Sequence, residues 1–126
     1  MFKMASPRRL FTAAAMAAAF GLAGISQGAW AHAHPVSSEP AAQATVSAPK
    51  TARVTFDSAL EGAFSKLTVV DAQGKPVTQA KAELDAARTT LTLALPQLAA
   101  GDYQANWVAV AKDGHRTQGS IKFTVK

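Results

Sequence analysis

From Thr51 onward, apolar residues recur at every second position in short runs, and each run stops at a cluster of Gly, Pro, Asp or Gln. Alternation with a period of two buries one face of an extended strand, and turns at short intervals force neighbouring strands to run antiparallel. Val54 and Phe56 alternate before Asp57, and Leu67 and Val69 alternate before Asp71-Ala72-Gln73-Gly74, a turn with glycine at its last position. Leu91, Leu93 and Leu95 lead to Pro96, which removes a ladder donor and closes that strand. Tyr103, Ala105, Trp107 and Ala109 share one face of the next strand, and Ile121, Phe123 and Val125 share one face of the last. With Val36 to Pro40 and a segment around Val77 to Leu84, this makes about seven short strands, the number and spacing of an all-β, immunoglobulin-like sandwich. A closed barrel is the second choice. Ala41 to Pro49 reads as a polar connector and Asp85 to Arg88 as a helical turn.

The first 31 residues follow other rules. Lys3, Arg8 and Arg9 precede an uncharged apolar run from Leu10 to Ile25, and Ala29-Trp30-Ala31 ends in small residues, which is the three-part pattern of a secretory signal. The run is Ala-rich and shorter than the roughly 20 apolar residues a membrane span needs. Residues 1–31 are therefore expected to be removed, leaving 32–126 as one domain with no membrane span. Arg8-Arg9-Leu10-Phe11 also permits a twin-arginine reading. Cleavage after Ala33 satisfies the same small-residue rule as cleavage after Ala31.

Removal of that segment changes the composition that matters. Three of the 13 basic residues and none of the eight acidic ones leave with it, so the net charge falls from +5 to +2. A nucleic-acid footprint needs clustered Lys and Arg, and none is visible. All three methionines (Met1, Met4, Met16) leave as well, and the chain has no cysteine. Any metal site in 32–126 must then be built from nitrogen and oxygen, and packing alone must hold the domain, although export permits disulfides.

The three histidines sit where ligands would be useful. His32 and His34 follow the signal, and His115 lies in the loop Lys112-Asp113-Gly114-His115 between two apolar strands. If cleavage falls after Ala31, His32 becomes the N-terminal residue and offers its amine and its ring to one ion, the amine having a pKa of roughly 8. A third nitrogen from His115 and a carboxylate oxygen from Asp113 complete a tetragonal N and O set without sulfur, which points to Cu(II); zinc and nickel remain open on ligand type. Two other readings compete. Asp113-Gly114 is also an ordinary hairpin turn, with His115 merely solvated beside it. His34, third from the new terminus, permits a square-planar site made by the tail alone. The folded site of His32, Asp113 and His115 is preferred, with His34 nearby as an alternative ligand.

These residues resemble a known family. His32-Ala33-His34, Val36-Ser37-Ser38-Glu39-Pro40, Val54-Thr55-Phe56, Phe64-Ser65-Lys66-Leu67, Asp71-Ala72-Gln73-Gly74, Trp107 and Asp113-Gly114-His115 through Val125 are similar to the CopC-type periplasmic copper-binding proteins. The resemblance spans essentially all of 32–126. It implies a seven-stranded Greek-key sandwich that binds one Cu(II) per chain through residues matching His32, Asp113 and His115. It further implies a periplasmic copper carrier or buffer for homeostasis and resistance, working with an inner-membrane transporter of the CopD type; the chain itself is expected to be a monomer. Some members add a Met-rich Cu(I) site, which this chain lacks the methionines to build.

Two rival functions are weighed against that one. An N-terminal histidine that chelates copper is similar to the site of the lytic polysaccharide monooxygenases, but 32–126 offers little surface for a polymer and its aromatics fall mostly at core-facing positions. The chain is therefore expected not to be an enzyme. A metal-free sandwich for adhesion or scaffolding would make the histidines incidental, and it predicts no tight metal site.

Overall fold

The computed structural model describes residues 32–126; the expected signal at 1–31 lies outside them. The described chain is all β, in two four-stranded sheets packed face to face. Its strands are β1 (Pro35–Glu39), β2 (Thr45–Val46), β3 (Thr51–Phe56), β4 (Lys66–Asp71), β5 (Glu83–Leu84), β6 (Thr90–Ala94), β7 (Gly101–Val110) and β8 (Arg116–Val125). One sheet has the order β1-β3-β6-β5 and the other β2-β8-β7-β4. All pairings are antiparallel except β2 with β8. This is the expected immunoglobulin-like sandwich, and the barrel alternative falls because the sheets stay separate. No helix among the described residues is long and apolar enough to cross a membrane.

The alternation in the sequence becomes the core. Ala52, Val54 and Phe56 of β3, Leu67 and Val69 of β4, Leu91 and Leu93 of β6, Tyr103 to Ala109 at alternate positions of β7, and Phe123 and Val125 of β8 are buried. The Phe56 ring meets Trp107 edge-on with centroids 5.2 Å apart, the offset geometry that aromatic quadrupoles favour. The Tyr103 hydroxyl donates to the Ala99 carbonyl at 2.7 Å, a tyrosine corner of the kind that ties a strand entry in immunoglobulin-like sandwiches.

Three local expectations change. Within the connector 41–49, Thr45 and Val46 pair with the end of β8, which adds a short strand to the seven. Of Val77 to Leu84, only Glu83 and Leu84 join β6, while the Val77 amide donates to Val69 in the opposite sheet, because this stretch crosses between sheets. Asp85 to Arg88 is a tight turn and not a helical one: the Arg88 amide donates to the Asp85 carbonyl at 3.0 Å and Arg88 stands at φ 62°. The cause is the Asp85 side chain, whose Oδ1 accepts from the amides of Thr90 (3.1 Å) and Thr89 (2.9 Å) and offers the backbone an alternative to helix. Those amides, Thr90 first, hold the Asp85 carboxyl below its usual pKa.

β7 and β8 pair along their whole length, from Gly101 opposite Val125 to Val110 opposite Arg116. Gly119 faces Trp107 in this ladder, and a Cβ there would lie 2.6 Å from Trp107 Cζ2 and 2.9 Å from Cε2. The indole cannot retreat, since it is buried and braced by Phe56. Gly119→Ala is expected to cost about 1–3 kcal/mol by overpacking. Urea unfolding read by Trp fluorescence checks it, and an unchanged midpoint would contradict the contact.

Candidate metal centre

The β7–β8 hairpin carries the first part of the site. The Ala111 amide donates to the His115 carbonyl at 3.0 Å and the Gly114 amide to the Ala111 carbonyl at 2.9 Å, leaving Lys112, Asp113 and Gly114 as a three-residue loop. Gly114 stands at φ 84°, the left-handed position that such loops need and that glycine takes without a Cβ penalty. The hairpin reading and the ligand reading are therefore compatible: the turn is what brings Asp113 and His115 together. The loop base is anchored from outside, as Leu60 bridges to Ala111, the Glu61 amide donates to Val110 at 2.8 Å, and the Val110 amide donates to Ser65 Oγ at 3.0 Å.

Within the loop, Asp113 Oδ1 accepts from the His115 amide at 3.0 Å, and Oδ2 is hydrogen-bonded to His115 Nδ1. The backbone amide of His115, then its ring, then the charges of His115 and His32 hold the Asp113 carboxyl below the ordinary value of 3.8 against a smaller opposing effect of desolvation. The His115 side chain remains 62% exposed, so it is accessible to an ion from solution.

The second part arrives from the other end of the described chain. The Ala33 side chain is fully buried, and its carbonyl accepts from Thr117 Oγ1 at 2.7 Å. The His34 amide donates to Asp57 Oδ1 at 2.8 Å, and the Asp57 amide returns a bond to the His34 carbonyl at 2.9 Å. Beyond these contacts β1 pairs with β3 from Pro35 opposite Phe56. The effect is to set the His32 ring beside that of His115, with centroids 4.6 Å apart and planes tilted by 37°. The exposed His34 ring lies 6.3 Å from His32.

His32, Asp113 and His115 thus share one end of the sandwich, with His34 at its margin. Among the described residues, no three His, Cys, Asp or Glu side chains form a ready-made metal-holding group. The reason is visible in the loop, where Asp113 turns its carboxylate to His115 and not toward a common point. What the arrangement offers is two rings in contact and a carboxylate that fixes one of them: a hydrogen bond at Nδ1 leaves Nε2 of a neutral imidazole as the lone-pair nitrogen. Asp57, Thr117 and Ala33 were not singled out from the sequence. Thr117 had a signal, a hydroxyl at a core-facing position of β8, whereas Asp57 had none, because its partner is set by strand pairing.

Residues 35–126 match the CopC domain family, a match that starts just after His32 and His34. The protein YobA of Escherichia coli K12 is 32% identical over 106 residues, 81% of this chain and 85% of that protein. Copper resistance protein C of Xanthomonas campestris pv. juglandis is 34% identical over 108 residues, 80% of this chain and 85% of that protein. The crystal structure of CopC from Methylosinus trichosporium OB3b matches with a TM-score of 0.71 and 34% identity, covering 75% of this chain and 94% of that one. PcoC, a methionine-rich copper resistance protein from Escherichia coli, matches with a TM-score of 0.65 and 34% identity, covering 75% and 99%.

A depressed carboxyl pKa means that the Asp113 contacts stabilise the hairpin above pH 3.8, the ordinary value, and are lost as the pH falls through the lower folded value. In metal-free protein, carbon-13 NMR is expected to place the Asp113 midpoint below 3.8. His115→Ala should raise it only part of the way, because the backbone amide at residue 115 still donates. A midpoint at or above the ordinary value would contradict the loop geometry.

Proposed function

Since the chain belongs to the CopC family, we propose that it holds one Cu(II) per chain in the periplasm, ligated by His32, Asp113 and His115 after removal of residues 1–31. The names of its relatives mark the family as one of copper resistance proteins, and its members handle copper and are not enzymes. The observation that carries the ligand assignment is the 4.6 Å approach of the His32 and His115 rings, from opposite ends of the domain. Two imidazoles held in contact at an accessible edge, with an N-terminal amine on the same residue as one of them, supply three nitrogens; Asp113 orients His115 in the metal-free chain and gives an oxygen when it turns to the ion.

The absence of methionine and cysteine from 32–126 favours Cu(II) over Cu(I), since softer thioether and thiolate donors select the reduced ion. In this respect the chain differs from methionine-rich PcoC. A carrier or buffer in copper homeostasis and resistance follows, with delivery to an inner-membrane transporter of the CopD type as its next step and a monomer as its working state.

Titration of protein whose N-terminus is verified as His32 by mass spectrometry should reach one Cu(II) per chain and give one nitrogen-rich type-2 centre by electron paramagnetic resonance. His115→Ala should change that spectrum, and a methionine placed ahead of His32 should weaken binding sharply by taking the amine out of the chelate. Equal affinity with that extension would refute the N-terminal role. Protons compete for the amine and both rings, so binding should fade below about pH 5–6.

A further inference from the structure

We infer that Asp57 and Thr117 are positioning residues that decide which of two Cu(II) sites this N-terminal segment can form. The inference rests on the copper reading above. A segment His-Ala-His has two ways to hold the ion. In one, the ring of His32 works with His115 across the fold. In the other, the tail works alone, and the peptide nitrogens of Ala33 and His34 themselves become ligands, in one plane with the amine and the His34 ring. The second mode requires the backbone from His32 to His34 to wrap around the ion.

In the folded chain that backbone is committed at each step. The His34 peptide nitrogen points its hydrogen to Asp57 Oδ1 at 2.8 Å, and the Asp57 amide clamps the His34 carbonyl at 2.9 Å, so the peptide unit is held on both sides by one residue. Ala33 is buried as part of the core, and Thr117 Oγ1 holds its carbonyl at 2.7 Å. For the tail to wrap, Ala33 must leave the core and both contacts must break. The same contacts aim the His32 side chain at His115, because Thr117 is two residues beyond His115 on the strand that begins at Arg116. The clamp therefore excludes one mode and assembles the other. A buried alanine does this well: it is small enough to enter the edge of the core, and it leaves His32 half-buried and His34 exposed on either side.

The test uses the processed chain with one equivalent of Cu(II), and compares the effects of His115→Ala and His34→Ala in different backgrounds. In the wild-type background, His115→Ala should weaken binding by at least about tenfold and change the paramagnetic resonance spectrum, while His34→Ala should leave the spectrum unchanged. In the Asp57→Ala/Thr117→Val background the dependence should reverse, with His34→Ala now changing the spectrum and His115→Ala not. Asp57→Asn and Thr117→Ser keep an acceptor and a hydroxyl, and should retain the wild-type pattern. Thr117→Val alone is nearly isosteric and stays folded if the double variant does not, and it should show a mixture of both spectra. The clamp is refuted if the loosened variants keep the wild-type dependence on His115, or if Asp57→Asn and Thr117→Ser behave like the deletions. A wild-type spectrum that depends on His34 and not on His115 would overturn both the clamp and the folded site, whereas wild-type dependence on His115 that survives loosening overturns the clamp alone.

Discussion

Along β7 and β8 each residue is paired with one partner, and because successive side chains point to opposite faces, the register of this ladder determines which side chains enter the core. A slip by one residue would put Trp107 and Phe123 on opposite faces, so that one of them turns to solvent, and would remove Gly119 from beneath the indole. The same register places the hairpin loop at one end of the sandwich, with Asp113 and His115 in it and Thr117 facing inward just below. Packing of the Trp107 ring on a glycine is thus a constraint on the site as much as on the core, since both follow from one alignment of two strands.

The other half of the site is made by contacts that are distant in sequence. Ala33 and Thr117 are 84 residues apart, and His34 and Asp57 are 23 apart. The His34–Asp57 bond needs β1 paired with β3, and the Ala33–Thr117 bond needs the two sheets packed together, because Thr117 lies on β8 of the opposite sheet. The His32–His115 contact is therefore a product of the finished fold. Loop-closure entropy opposes such pairings in the unfolded chain, so the segment 32–34 has no reason to approach the hairpin before β1 docks on β3.

Electrostatics at this end of the molecule are local. Asp113 is occupied with the amide and ring of His115, and its pKa is lowered accordingly, while Asp57 is occupied with His34. The two carboxylates thus have separate tasks, one orienting a ring and the other holding a peptide. With a net charge of only +2 on 32–126, recognition of a small cation rests on donor chemistry and not on a long-range field.

The alternation of Val54, Phe56, Leu67, Val69, Leu91, Leu93, Tyr103 and Trp107 made the all-β sandwich legible, because a period of two has one physical solution when one face must be buried. The absence of Met and Cys after residue 31 and the donor-type side chains of His32, Asp113 and His115 were legible too, since donor chemistry belongs to residue types. What the sequence could not display is where the chain crosses between sheets, why Asp85 makes a turn and not a helix, and that Asp57 and Thr117 grip the segment joining His32 to His34. Those features depend on which strand lies beside which, and a hydrogen bond between residues 23 or 84 positions apart leaves no periodic trace. The residues able to bind a metal were determined locally by their chemistry, whereas their meeting at one edge was decided by tertiary structure, because only the closed sandwich supplies the burial that holds Ala33 in place.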